Sequence, residues 1–259
     1  MNIVFFDIDG TLATGRQVPA SAAEGIARLR RNGDLVFICT GRNVNYARNN
    51  FGQYADGFIC NNGRLAVFGD RVIFDEPLDN DVLKMIIEKL DSVKSGYVFH
   101  TSERGYYGGV EEGFEHLKIT GDAEYMEKCS DFSGLRVYNG DIYYRSREHF
   151  RQIEKVLQDI CLLNLHGPHP SADVTILGVD KGDAIIRVAE KLGVPVENTY
   201  AFGDGINDMC MLEKAGHGIA MGNAVAETKA VAEYITDDIN NDGVYKGLVH
   251  YGLIGKYNK

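Results

Sequence analysis

Basic charge is what this 259-residue chain has too little of: 27 Lys and Arg stand against 37 Asp and Glu, a formal net charge of −10. Neutralising a nucleic-acid backbone takes clustered Lys and Arg, so the balance argues against such a partner. A small phosphate is another matter, because a metal and a few local cations can balance it. Cysteine is sparse too. Cys39, Cys60, Cys129, Cys161 and Cys210 are scattered, form no Cys-x-x-Cys pair, and read as reduced thiols rather than a disulfide framework. No stretch approaches the ~20 apolar residues that cross a bilayer, and no basic segment precedes the short apolar run that follows Met1. The expectation is a cytoplasmic protein with no membrane partner. The seven histidines show no ligand spacing, and His217, between Gly216 and Gly218, reads as a loop residue.

What is present is an ordinary globular composition, 44% hydrophobic and 25% charged, at a length that suits two modest domains. The first 75 residues alternate strand and helix. Ile3 to Phe6, Leu35 to Cys39 and Gly57 to Cys60 are short apolar runs of the kind buried on both faces, with a helix from about Pro19 to Asn32 between the first two. That rhythm predicts right-handed crossovers and a parallel sheet. From about Leu78 to Gly178 the texture changes. A helix near 81–93 precedes strands at Tyr97 to Thr101 and Gly105 to Gly108; Leu135 to Asn139 and Ile142 to Arg145 are further strand candidates. A helix near 147–159 then precedes strands at Cys161 to Leu165 and Asp173 to Leu177. After Gly178 come a helix over 182–192, a strand at Thr199 to Phe202, a short helix near 206–215, a strand at Gly218 to Met221 and a helix near 225–234. The fold class expected is α/β: a Rossmann-like parallel-sheet core over 1–78 and 179–259, interrupted by an inserted α+β domain over 79–178.

Three of the buried strands run into polar residues: Asp7-Ile8-Asp9-Gly10-Thr11, Thr40-Gly41-Arg42, and Gly203-Asp204-Gly205-Ile206-Asn207-Asp208. Ligands of open parallel sheets bind beyond the carboxyl ends of the strands, so these segments should converge. Four aspartates in one crevice repel one another and call for a cation. Hard oxygen donors without His or Cys favour Mg²⁺, and Lys181 is the second positive charge expected there.

Those segments, with Lys181 in Gly178-Val179-Asp180-Lys181-Gly182, closely resemble the four motifs of the haloacid dehalogenase-like superfamily, and the wording resembles its Cof-like phosphatase branch. The resemblance implies that Asp7 is a nucleophile forming an aspartyl phosphate, while Asp9 acts as acid and then base. It implies that Thr40 and Lys181 hold phosphoryl oxygens, and that Asp7, Asp9 (by its carbonyl), Asp204 and Asp208 hold Mg²⁺. Gly41, Arg42, Asn62 and Asn207 are expected to line the phosphate site. The insert becomes a cap supplying substrate contacts, with Arg104, Tyr106, Tyr107, His116, Arg136, Arg145 and His166 as candidates. The implied activity is hydrolysis of small phosphomonoesters, sugar phosphates or phosphorylated cofactors and their precursors, by a monomer or weak homodimer. A phosphomutase, or a metabolite-sensing protein on the same fold, are the competing readings.

Overall fold

The computed structural model describes residues 1–110, 126–166 and 169–255. By its internal contacts the chain divides into two units: residues 1–42, 46–75 and 179–259 form the first, and 43–45 with 76–178 the second.

The first unit begins with β1 (Ile3–Phe6), every residue of which is buried, and continues through the Ala20–Arg31 helix to β2 (Leu35–Cys39). The Val44–Phe51 helix leads to β3 (Gly57–Cys60), followed by β4 (Leu65–Phe68) and β5 (Arg71–Asp75). In the second unit the Asn80–Ser92 helix precedes β6 (Gly96–His100), β7 (Gly105–Gly109), β8 (Met126–Lys128) and β9 (Asn139–Tyr143). The Arg147–Leu157 helix then leads to β10 (Cys161–Leu165) and β11 (Ser171–Ile176). The chain re-enters the first unit with the Lys181–Leu192 helix and β12 (Thr199–Gly203). The Met209–Lys214 helix, β13 (His217–Ala220), the Ala226–Val231 helix, β14 (Tyr234–Ile235) and the Gly243–His250 helix complete it.

The first unit's eight strands run in the order β14-β13-β12-β1-β2-β3-β4-β5. From β14 to β3 all pairs are parallel, with β1 between β2 and β12, so the apolar runs at 3–6, 35–39 and 199–202 fill the middle. Burial on both faces is why they read as continuous rather than alternating. Phe5, Phe37, Ile59, Ile185, Val188 and Met211 share one core cluster, which packs the Lys181–Leu192 and Met209–Lys214 helices onto the sheet. The β4–β5 hairpin adds two antiparallel strands to this edge, turning at Gly69-Asp70 with Gly69 at φ +55°. The second unit's six described strands run β10-β11-β9-β6-β7-β8 and are antiparallel except at β7–β8.

Three expectations need correction. Leu135 to Tyr138 is not a strand; Val137 accepts from Leu78 N (2.7 Å) and Tyr138 donates to His100 O (2.9 Å), so isolated bonds to other segments replace a ladder. The helix expected over 225–234 ends at Val231, because Tyr234–Ile235 pairs with β13 instead. His217 begins β13, its ring stacked 4.7 Å from Tyr200 and its Nδ1 2.9 Å from Glu233 Oε2. None of the five cysteines, all described, is in a disulfide. Among the described residues no helix is long and apolar enough to cross a membrane.

Candidate active site

Parallel pairing of β1, β2 and β12 brings Asp7, Thr40 and Asp204 to the carboxyl ends of three neighbouring strands. Asp7 follows the last residue of β1, and its N–H still donates to Phe202 O (3.0 Å), which fixes the backbone against β12. The next six residues form a tight turn, with Leu12 N bonded to Asp7 O and Ala13 N bonded to Ile8 O. Gly10 sits there at φ +87°, and a Cβ on it would meet Asp204 Oδ2 at 2.3 Å. Only glycine tolerates both the left-handed backbone and that approach.

Lys181, 1% exposed, opens its helix just after the N-cap Asp180, whose side chain accepts from Asp183 N. From there its ammonium donates to Asp7 Oδ1 (2.7 Å) and to Asp208 Oδ1 (2.6 Å). The second oxygen of Asp208 accepts from the backbone N–H groups of Asp204 (2.9 Å) and Gly205 (3.0 Å). Both Asp208 oxygens are thereby committed to shaping the site. Asp204 Oδ1 accepts from the buried Thr11 hydroxyl (2.9 Å).

The electrostatics point to a missing positive charge. Three carboxylates, Asp7, Asp204 and Asp208, offer oxygens within 4.8 Å of one another, and among the described residues a single ammonium, that of Lys181, is paired with them. That leaves the group two positive charges short. Burial, then the Asp208 charge, push the Asp7 carboxyl well above its usual range despite Lys181. Burial and Asp208 likewise raise Asp204 to about 6, against the Thr11 hydrogen bond and Lys181. Burial pulls Lys181 down, but Asp208 and Asp7 outweigh it and hold the ammonium well above its ordinary value. An all-oxygen donor set lacking two positive charges fits a hard divalent cation.

Asp9 stands apart from the buried group. It is exposed, and its Oδ2 contacts Arg42 Nε at 3.2 Å, while the Arg42 guanidinium lies 5.0 Å from the centre of the Tyr46 ring. Thr40 is buried; its N–H is spent on Ile59 O (2.8 Å), and its Oγ1 accepts from Arg42 N (3.1 Å). That bond leaves the hydroxyl proton for an outside acceptor. Asn62 N donates to Thr40 O (3.2 Å), and a Cβ on Gly41 would lie 3.0 Å from Asn62 Oδ1. Asn207 lies in the Ile206–Asp208 turn, directly before Asp208.

Several supporting contacts are not legible in the motifs, although Thr11 lies within one of them and Asn62 is among the expected site residues. Thr11 holds Asp204. Asn223, beyond β13, donates to Gly10 O (2.8 Å) and accepts from Ile239 N (3.0 Å). Thr228 caps Gly205 O (2.7 Å). Asn61 and Asn62 both adopt φ +54°, and their buried amides have no hydrogen-bond partner among the described residues. An Asn-Asn-Gly run after a strand is the only sequence hint of that left-handed turn. Of the residues proposed for the second unit, Arg104 pairs with Glu127 (2.7 Å) and Tyr106 packs on the unit's core. His166 joins a polar cluster described below, and His116 lies outside the described residues.

Comparison with known proteins agrees with this geometry. The sequence profile of the haloacid dehalogenase-like hydrolases matches residues 4–248. YkrA of Bacillus subtilis strain 168, which carries a provisional phosphatase name, is 32% identical over 97% of this chain and 98% of its own length. The same organism's YcsE, a 5-amino-6-(5-phospho-D-ribitylamino)uracil phosphatase, is 27% identical over 98% and 96%. Among solved structures, the subclass IIB sugar phosphatase BT4131 superposes with a TM-score of 0.83 at 27% identity, covering 98% of this chain and 100% of that one. With motif order, strand-end placement and whole-length similarity in agreement, the chain belongs to the haloacid dehalogenase-like hydrolases and is a phosphatase of that family, acting on small phosphorylated substrates.

Proposed function

We propose that the protein is a Mg²⁺-dependent phosphatase of sugar phosphates or phosphorylated cofactors and their precursors, working through an aspartyl phosphate on Asp7. The observation that carries this reading is the buried Lys181–Asp7 contact of 2.7 Å, in a group still two positive charges short. Phosphatases of this family generally use a divalent metal, and Asp7, Asp204 and the Asp9 carbonyl would hold it, with Asp208 acting through their backbone or bound water. When bound, the metal supplies charge neutralisation for the nucleophile and the phosphoryl oxygens.

In the first step an Asp7 carboxylate oxygen attacks phosphorus, the bond to the leaving oxygen breaks, and Asp9 gives that oxygen a proton. In the second, water attacks the same phosphorus, Asp9 takes its proton, and the bond to Asp7 breaks, restoring the carboxylate. Lys181 aligns Asp7 and, with the metal, favours its ionised form, and Thr40 donates its hydroxyl to a phosphoryl oxygen. Arg42 holds the Asp9 carboxyl through Oδ2, while Gly41, Asn62 and Asn207 line the phosphoryl site. The second unit acts as a cap that selects the leaving group. YcsE, and pyridoxal phosphate phosphatase YbhA of Escherichia coli (26% identical over 93% of this chain), bear names that put phosphorylated cofactors and their precursors in the range to test.

The test is phosphate release from a panel of sugar phosphates and phosphorylated cofactors, with Mg²⁺ and then with excess chelator. Release that chelator stops and Mg²⁺ restores is expected. Full activity in excess chelator would remove the metal from the scheme, and silence across the panel would remove the proposed substrate range.

A further inference from the structure

The second unit carries a polar cluster that the proposed chemistry does not use. Asp141 on β9 and Asp173 on β11 are directly paired in the antiparallel register, so two carboxylates stand opposite each other on one face of the sheet. Like charges in that position destabilise a sheet unless something offsets them. The two side chains are hydrogen-bonded to each other, and His166, just beyond β10, faces both: its Nε2 is 3.1 Å from Asp173 Oδ1 and 3.9 Å from Asp141 Oδ1. One donor atom from each of the three lies within 4.8 Å of the others.

The outer contacts resemble those that orient metal ligands. His166 Nδ1 is 2.9 Å from Ser171 Oγ, and with that oxygen accepting, Nδ1 carries the proton and Nε2 presents its lone pair. Asp141 uses its other oxygen, Oδ2, at 2.7 Å from His100 Nε2, which aims Oδ1 toward His166. Ligating histidines and carboxylates are typically held in this way by a second set of partners. For bonds of about 2.0 Å, neighbouring donors of a tetrahedral ion are about 3.3 Å apart, between the two separations His166 makes. The three side chains are 16 to 35% exposed, which leaves room for an ion to enter and to keep water.

We propose that Asp141, His166 and Asp173 form a second metal site, for a divalent first-row transition ion such as Zn²⁺, with His100 and Ser171 as positioning residues. One imidazole with two carboxylates suits such an ion better than Mg²⁺, which prefers oxygen alone. The ion binds the Nε2 lone pair while Nδ1 keeps its proton, and it ties β9, β11 and the segment after β10 together.

The experiment is calorimetric titration of the full-length, metal-stripped protein with Zn²⁺ in excess Mg²⁺, alongside X-ray absorption of the zinc-loaded protein. The core carboxylates give an oxygen-only shell, so imidazole scattering reports this cluster. Wild type should bind one more Zn²⁺ than His166→Ala or Asp173→Asn, with imidazole scattering that His166→Ala abolishes. His100→Gln, which spares all three ligands, should weaken that binding about 10- to 100-fold. Circular dichroism identifies any variant that fails to fold, in which case Asp173→Asn and His100→Gln carry the comparison. Equal stoichiometry and affinity in wild type and the folded ligand variants would overturn the proposal and leave an ion-pair cluster only.

Discussion

Lys181 Nζ lies 2.7 Å from Asp7 Oδ1, although 174 residues separate the two in sequence. The ammonium is 1% exposed and bridges to Asp208 as well. Lys181→Met strips the group of its cation and leaves buried carboxylates uncompensated, a loss of about 3–5 kcal/mol in the metal-free protein, together with turnover. Lys181→Arg should not rescue activity, since a planar fork cannot replace a compact point charge in a filled site. Denaturant unfolding with a phosphate-release assay measures both effects; wild-type stability in Lys181→Met would contradict the electrostatic account.

Asp204 gives the protein a pH dependence whose sign is fixed. Its carboxyl, raised to about 6, binds a proton more tightly in the metal-free folded state than in the unfolded chain. That contribution is present below the unfolded value near 3.8 and is lost as pH rises through about 6. In chelator, Asp204→Asn should therefore gain on wild type between pH 4 and 7, by on the order of 2–3 kcal/mol at most. A divalent cation should reverse the gap by stabilising wild type alone. A stability difference independent of pH would refute this.

Thr11→Val keeps the shape of a fully buried side chain but removes the donor to Asp204 Oδ1. Affinity for the divalent metal should fall about 10- to 100-fold with the fold retained. Metal titration of the variant checks this, and unchanged affinity would show that Asp204 needs no such support.

Gly10→Ala combines a backbone at φ +87° with a Cβ 2.3 Å from Asp204 Oδ2. The strain should cost about 1–3 kcal/mol and displace Asp204, so metal binding and turnover fall together. Thermal unfolding and metal titration of the variant read the two effects, and wild-type values would mean that the turn yields easily.

The buried strands were legible because burial on both faces leaves an uninterrupted apolar run, and β1, β2 and β3 occupy the residues their patterns mark. The β4–β5 hairpin was not. Its outer strand, Arg71–Asp75, is half exposed, with neither clean alternation nor a continuous run. Leu135 to Tyr138 misled because Val137 and Tyr138 are buried in irregular chain, where hydropathy alone resembles a strand. In the site, the aspartates and Lys181 stand out because their spacing after strands is specific. Thr11, Asn223 and Thr228 act by hydrogen bonds to backbone or carboxylate across 193, 213 and 23 residues, and no local pattern encodes those contacts.

The most direct test of the account is to trap the intermediate: rapid acid quench during turnover of a labelled phosphomonoester, followed by peptide mapping. Phosphoryl label on the peptide containing Asp7, absent from Asp7→Asn along with at least about 10³-fold of the activity, is the expected result. Undiminished turnover in Asp7→Asn, or label on another residue, would contradict the central role given to that carboxylate.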